Sequence, residues 1–182
     1  LNSPQFSSLP PLLVTDRLQR VLEIAQDSYG VNALVVLSMD NIRWLTGFTG
    51  STALLLIKDN DSILIVDGRY TQQAIDQIHM SGASARVVEA RTQSLQIGQL
   101  SRELEGSNIC GFDSSDVTVL NFEMIVAQIP CAFVAVNGVV QQLRRVKTDA
   151  EIARMQLASR ATDMALAEVQ LMLEDASSFE IS

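Results

Sequence analysis

Two short stretches of the 182-residue chain concentrate the side chains able to do chemistry. The first, NIRWLTGFTGS (41–51), holds the only tryptophan, Trp44, beside the guanidinium of Arg43, with Asn41 upstream and glycines at 47 and 50. Glycine permits positive φ or close backbone approach, and an indole beside an arginine is a common anchor for a carboxylate-bearing or peptidic partner. The plainer reading is a crossover loop whose Trp44 and Phe48 plug the core. It is no phosphate loop, because no lysine follows the glycines and a strand rather than a helix comes next. The second stretch, VDGRY (66–70), puts Asp67, Arg69 and Tyr70 where a strand ends and a helix begins, the edge at which α/β sheets bind ligands. Here the plainer reading has Asp67 capping the helix and Arg69 in a surface ion pair worth no more than about 1 kcal/mol.

Other chemistry is scarcer. Asp113, Ser114, Ser115 and Asp116 end another strand. Asp67, Asp113 and Asp116 together would make a carboxylate set for Mg²⁺ and a metal-dependent nuclease, although caps are the commoner role for such residues. The single histidine, His79, precedes a glycine-containing turn and reads as a charge partner for a helix C-terminus. A serine hydrolase would need His79 as its base, and no GxSxG elbow is present. The two cysteines, Cys110 and Cys131, lie in apolar runs without CxxC, HxxxH or HExxH spacing. They read as buried thiols of a reducing compartment, and no metal site or cofactor is expected from this chain alone. Thirteen Lys and Arg against 21 Asp and Glu give a net charge of −8, which argues against nucleic acid and anionic membrane as partners. No leader pattern opens the chain and no apolar run approaches the roughly 20 residues of a membrane span, so a cytoplasmic protein is expected.

The elements that must position these residues follow from periodicity. With 47% hydrophobic residues the chain can fill a core. From Thr15, apolar positions recur at helical spacing up to Gly30, and ALVVL (33–37) is the short β-branched run of a strand buried on both faces. TALLLIK (52–58) and SILIVD (62–67), joined by Asp59, Asn60 and Asp61, form a hairpin, so the sheet is mixed. Helical 70–80, strand 85–90, helical 94–106, strand 108–113, helical 119–129 and strand 131–136 then alternate. This predicts an α/β domain of about six strands with helices on both faces of the sheet. Residues 1–13 read as an irregular arm, 14–140 as the domain, and 141–182 as a linker and a long helix, with no secondary structure assigned to 139–147. Thr148 and Glu151 form a capping box for that helix, whose face of Ile152, Met155, Leu166, Val169 and Leu173 needs something to pack against.

Four stretches together resemble a known family. NIRWLTGFTGS (41–51), IVDGRYTQQA (65–74), CGFD (110–113) and LRRVKTDAEIARMQLASRATDMAL (143–166) are similar in order and spacing to the creatinase/prolidase N-terminal domain of Xaa-Pro dipeptidases and aminopeptidases P. The resemblance implies a three-layer, ribonuclease-H-like α/β/α fold that precedes a pita-bread catalytic domain. In that second domain two divalent metals (Mn, Co or Zn) would hold the water that attacks the bond before proline. Residues 141–182 then correspond to the linker and first helix of that domain. The metal ligands are expected beyond Ser182, the chain alone is expected to be inactive, and no catalytic residue is assigned within it. Also implied are a homo-oligomer, in the simplest case a dimer, and a proline-containing peptide substrate. Asn41, Arg43, Trp44, Asp67, Arg69 and Tyr70 become candidates for gating a neighbouring active site or forming an interface. The rival expectation is a stand-alone, non-catalytic peptide-binding or regulatory module.

Overall fold

Four successive buried residues, Ala33 to Val36, form the strand around which the other elements are laid. Leu34 and Val36 face one hydrophobic cluster and Ala33 and Val35 the other, the period-two alternation of a strand covered on both sides. The computed structural model describes residues 9–177, so most of the expected 1–13 arm and the 178–182 tail lie outside the described residues. The elements are α1 (Arg17–Tyr29), β1 (Ala33–Val36), α2 (Met39–Thr46), β2 (Leu54–Lys58), β3 (Ser62–Val66), α3 (Thr71–Ser81) and β4 (Ala85–Glu89). They continue with α4 (Gln93–Glu103), β5 (Ile109–Asp113), a 3-10 turn (Ser114–Asp116), α5 (Val119–Val126), β6 (Ala132–Val136), α6 (Val139–Arg145) and α7 (Asp149–Ser177).

The six strands lie in the order β4-β3-β2-β1-β5-β6. β2 is antiparallel to both neighbours and the other pairings are parallel. The C-terminal ends of β1, β3, β4, β5 and β6 therefore share one edge with the start of β2. Helices α1, α2, α3 and α6 bury residues against one face, through Val21, Ile42, Ala74 and Val140. Helices α4 and α5 cover the other through Ile97, Leu100 and Ile125. This is the expected three-layer α/β/α arrangement on a mixed six-stranded sheet.

Two segments differ from the sequence reading. Residues 39–46 are a two-turn helix, not a loop: Ile42 and Leu45 are fully buried at helical spacing, and Gly47 closes the helix at φ 78°. Residues 139–145, to which the pattern assigned no structure, form α6, with Val139 and Val140 buried. The expected boundary at 140 thus falls inside a helix, and the compact unit runs from Leu13 to Val146. A second unit contains α7 and the described part of the arm. Within it Thr148 and Glu151 bond reciprocally as a capping box, and Arg154 Nη1 donates to Pro10 O at 2.9 Å. Met155, Leu166, Val169 and Leu173 are exposed along α7.

One edge of the sheet is charged. On β4, Arg86 pairs with Asp61 at 2.8 Å and Glu103 at 2.7 Å, and Lys58 reaches Glu103 at 3.4 Å. The Arg86 hydrogen bond holds the Asp61 carboxyl below its usual range. Burial alone would raise Glu103, but its bond to Arg86 and that residue's charge overcome this and lower it. The unfolded chain therefore binds these protons at higher pH than the folded one. This part of the stability is complete above the ordinary carboxylate range of about pH 4–5 and disappears as pH falls through the lower folded values. Urea titrations should show an acid-side loss that is smaller in Arg86→Met. A second expectation concerns Gly111 in β5, where an added Cβ would lie 2.8 Å from Val136 Cγ2 and 3.1 Å from Leu34 Cδ1. Gly111→Ala should lower unfolding free energy by about 1–3 kcal/mol in the same assay.

Candidate functional site at the sheet edge

Both motifs meet at the shared strand edge. Helix α2 leaves the end of β1 and presents Asn41 toward the neighbouring β5. The Asn41 amide donates to Asp113 Oδ2 at 2.5 Å and its carbonyl accepts from Arg144 Nη1 at 2.8 Å. Asn41 is 1% exposed and Asp113 2%. Asp113 also accepts from the Ser115 hydroxyl at 2.6 Å and from its amide at 3.3 Å, so the buried carboxylate is well provided with donors. One carboxamide thereby joins α2, the end of β5 and α6. This placement makes Asn41 structural within the domain, and it draws in Asp113 and Arg144.

Trp44 is half-buried, and the guanidinium over its ring belongs to Arg17, 4.1 Å from the centroid, rather than to its exposed neighbour Arg43. Arg17 Nη1 also donates to Trp44 O at 2.7 Å. The signal that could have revealed this is a charged residue at a core-facing position of an amphipathic helix, among Val14, Leu18 and Val21.

Beyond α2 the chain turns tightly. Gly47 lies against Ser81, whose hydroxyl donates to Thr46 O at 2.7 Å, and a Cβ at Gly47 would sit 2.8 Å from Ser81 Cβ. At Gly50 a Cβ would overlap the ring of Phe48, which is fully buried. Thr49 is then clasped by α3: its amide donates to Gln77 Oε1 at 2.9 Å and its hydroxyl accepts from Gln73 and Gln77. Ser51 reaches the Tyr70 hydroxyl at 2.8 Å, and the Tyr70 ring meets Phe48 edge-on at 5.8 Å. The two motifs read separately in the sequence thus form one surface.

In the 67–70 loop, Asp67 accepts from Arg69 Nη2 at 2.7 Å, Nε at 3.2 Å and the Arg69 amide at 2.9 Å. Its carboxylate turns the loop and does not cap α3, whose N-cap is Tyr70 without a side-chain bond. The hydrogen bond from Arg69 holds Asp67 below its usual range, and the Ser51 contact lowers the Tyr70 phenol. The Arg69 side chain is 75% exposed and spans from Asp67 to 5.4 Å above the Tyr70 ring. An exposed guanidinium and a half-buried phenol, its hydroxyl held by Ser51, therefore stand side by side on a rigid base, suited to binding a carboxylate or peptide carbonyl.

The other expected chemistry is not assembled. Asp67 follows β3 and Asp113 ends β5, three strand positions apart, or about 14 Å at the usual spacing. The two cannot share one cation, so the nuclease arrangement is ruled out. Among the described residues no group of three or more His, Cys, Asp or Glu side chains could hold a metal ion. His79 lies in the last turn of α3, about 13 Å along the helix from Tyr70. Burial pushes the Cys110 thiol up to about 12, which removes it as a nucleophile.

The buried junction generates a direct expectation. Asn41→Ala removes the donor that faces Asp113 and should cost about 2–4 kcal/mol in urea unfolding. Asn41→Asp sets two carboxylates against each other and should cost more at pH 7.

Residues 17–146 match the family model described as the Creatinase/Prolidase N-terminal domain. An uncharacterized peptidase of Bacillus subtilis, YqhT, is 29% identical over 141 residues, which are 77% of this chain and 39% of that protein. The chain thus spans about two fifths of the length of that curated relative. Among solved structures, an Xaa-Pro dipeptidase from Bacillus anthracis superposes with a TM-score of 0.79 at 23% identity, over 87% of this chain and 43% of that one. The N-terminal domain of the cytoplasmic peptidase PepQ from Mycobacterium tuberculosis superposes with a TM-score of 0.59 at 27% identity, over 70% of this chain and 98% of that one. The buried strands, the joined motifs and the match over 17–146 agree, and the chain belongs to the creatinase/prolidase N-terminal domain family.

Proposed function

We propose that this chain is the non-catalytic N-terminal part of a cytoplasmic, metal-dependent Xaa-Pro peptidase, which hydrolyses the bond preceding proline. It contributes an oligomer interface and a rim that gates substrate at a neighbouring active site. The observation that carries the reading is the family match over 17–146, on a chain among whose described residues no group of three or more His, Cys, Asp or Glu side chains could hold a metal ion. The metal pair implied by the family, Mn, Co or Zn, would be held by residues outside this chain and would supply the activated water, so no hydrolytic step is assigned to the residues described above. The exposed apolar side chains of α7 are consistent with a helix that belongs to a further domain.

In this reading the Arg69 guanidinium and Tyr70 phenol meet the approaching peptide, while Asn41 and Trp44 hold the frame beneath them. Arg43 is exposed on α2 and is available to an interface.

Purified residues 1–182 should show no turnover of Xaa-Pro dipeptides or Xaa-Pro-initiated peptides with added Mn²⁺, Co²⁺ or Zn²⁺; substantial turnover overturns the assignment. The product of the whole reading frame should be active. In it, Arg69→Ala should raise KM by roughly tenfold, the weight of one charge-assisted hydrogen bond, with little change in kcat or melting temperature. A stop codon directly after Ser182 would favour the stand-alone binding module instead.

A further inference from the structure

The two edges of the sheet are built differently. The β4 edge carries Arg86 and Glu89, and Arg86 is tied down by Asp61 and Glu103, charges of the kind that blunt an edge against pairing. The β6 edge reads Ala132-Phe133-Val134-Ala135-Val136 with no charge, no proline and no bulge. Among the described residues β6 pairs with β5 alone. Ala132 and Ala135 are exposed, and Phe133 and Val134 are only partly buried.

The pairing with β5 also says which backbone groups are spare. The Ala132 amide donates to Asn108 O at 3.0 Å, and Ala132 lies opposite Ile109 in the parallel register. The N–H and C=O of one strand residue point the same way, and successive residues point opposite ways. Ala132 and Val134 are thus spent on β5, while Phe133 and Ala135 present theirs to the open edge.

We propose that this edge pairs with β6 of a second copy of the chain, antiparallel about a two-fold axis at Val134, to form a continuous twelve-stranded sheet. The register follows from the spare groups. Phe133 and Ala135 of the partner face each other as a hydrogen-bonded pair and exchange two bonds; the symmetric pair exchanges two more, and Val134 faces its own copy as the non-bonded pair between them. The side chains are self-complementary, since each bulky Phe133 lies opposite a small Ala135. No like charges are opposed, although the chain carries a net charge of −8.

The five-residue strand supplies only part of the roughly 1,200 Å² that a stable interface needs. The rest has a source alongside. On α5, Val119, Phe122 and Val126 recur at helical spacing, with Val119 73% and Val126 40% exposed. Phe122 stacks on Phe112 at 4.5 Å and meets Phe133 of β6 at 6.3 Å. The two-fold brings the α5 helices of both copies side by side over the extended sheet, so these stripes cover one another. Two observations, an uncharged open edge and an apolar stripe beside it, therefore select the same occupant.

This inference rests on the oligomer part of the function proposed above and gives it a location. It puts the dimer contact at the opposite end of the sheet from the 67–70 loop, which is left free to face another partner.

The test uses residues 1–182 in sedimentation velocity and in disulfide trapping. Wild type should sediment as a dimer, and Ala135→Lys, at an exposed position, should weaken that dimer at least tenfold while keeping the wild-type melting temperature. Val134→Cys in a Cys131→Ser background should form a covalent dimer on mild oxidation, because a non-hydrogen-bonded antiparallel pair has the Cα separation that a disulfide requires. A dimer that survives Ala135→Lys and is not trapped through position 134 overturns the β6 interface while leaving oligomerisation in place. A monomer at all concentrations overturns both.

Discussion

The Asn41 carboxamide is the point on which this structure turns. It is engaged at both ends, its nitrogen donating to a buried carboxylate at the end of β5 and its oxygen accepting from a guanidinium on α6. An amide that cannot reach water must find both partners in the protein, and leaving either buried neighbour without one is expensive. α2 is therefore fixed in rotation and height above the sheet. Everything after α2 inherits that position: the turn at Gly47 against Ser81, Thr49 clasped by α3, and Ser51 against Tyr70.

A rim built in this way suits binding more than chemistry. Its exposed cation is paired with Asp67 and its phenol with Ser51, so both are oriented before a ligand arrives. Among the described residues no group of three or more His, Cys, Asp or Glu side chains that could hold a metal ion stands beside them. The chain spans about two fifths of the peptidase YqhT, and the role proposed above for this rim is to shape the approach to an active site held elsewhere.

The layered fold was legible in the sequence because its strands are apolar runs too short to be helices and its longer helices, α1, α3 and α4, are periodic over three or more turns. β1 could be read from ALVVL, and the hairpin from its three-residue Asp-Asn-Asp turn. The reading missed α2 and α6 because their burial depends on partners far along the chain, whereas the equally short α5 lay within a longer helical pattern that reached 129. The motifs 41–51 and 65–74 were both visible, but their union was not, since the Ser51 to Tyr70 contact is a property of the antiparallel β2 that lies between them. Arg17 was hidden by the habit of reading charged residues as solvent-facing, and the Asn41 partners Asp113 and Arg144 are separated from it by 72 and 103 positions.

Native-state amide hydrogen exchange of wild type and Asn41→Ala addresses this dependence most directly. If one carboxamide holds the rim to the centre of the sheet, the variant should lose protection together in α2, at residues 47–51 and in α6, while β2, β3 and β4 exchange as in wild type. A loss confined to the residues next to position 41, with 47–51 and α6 unchanged, would contradict it.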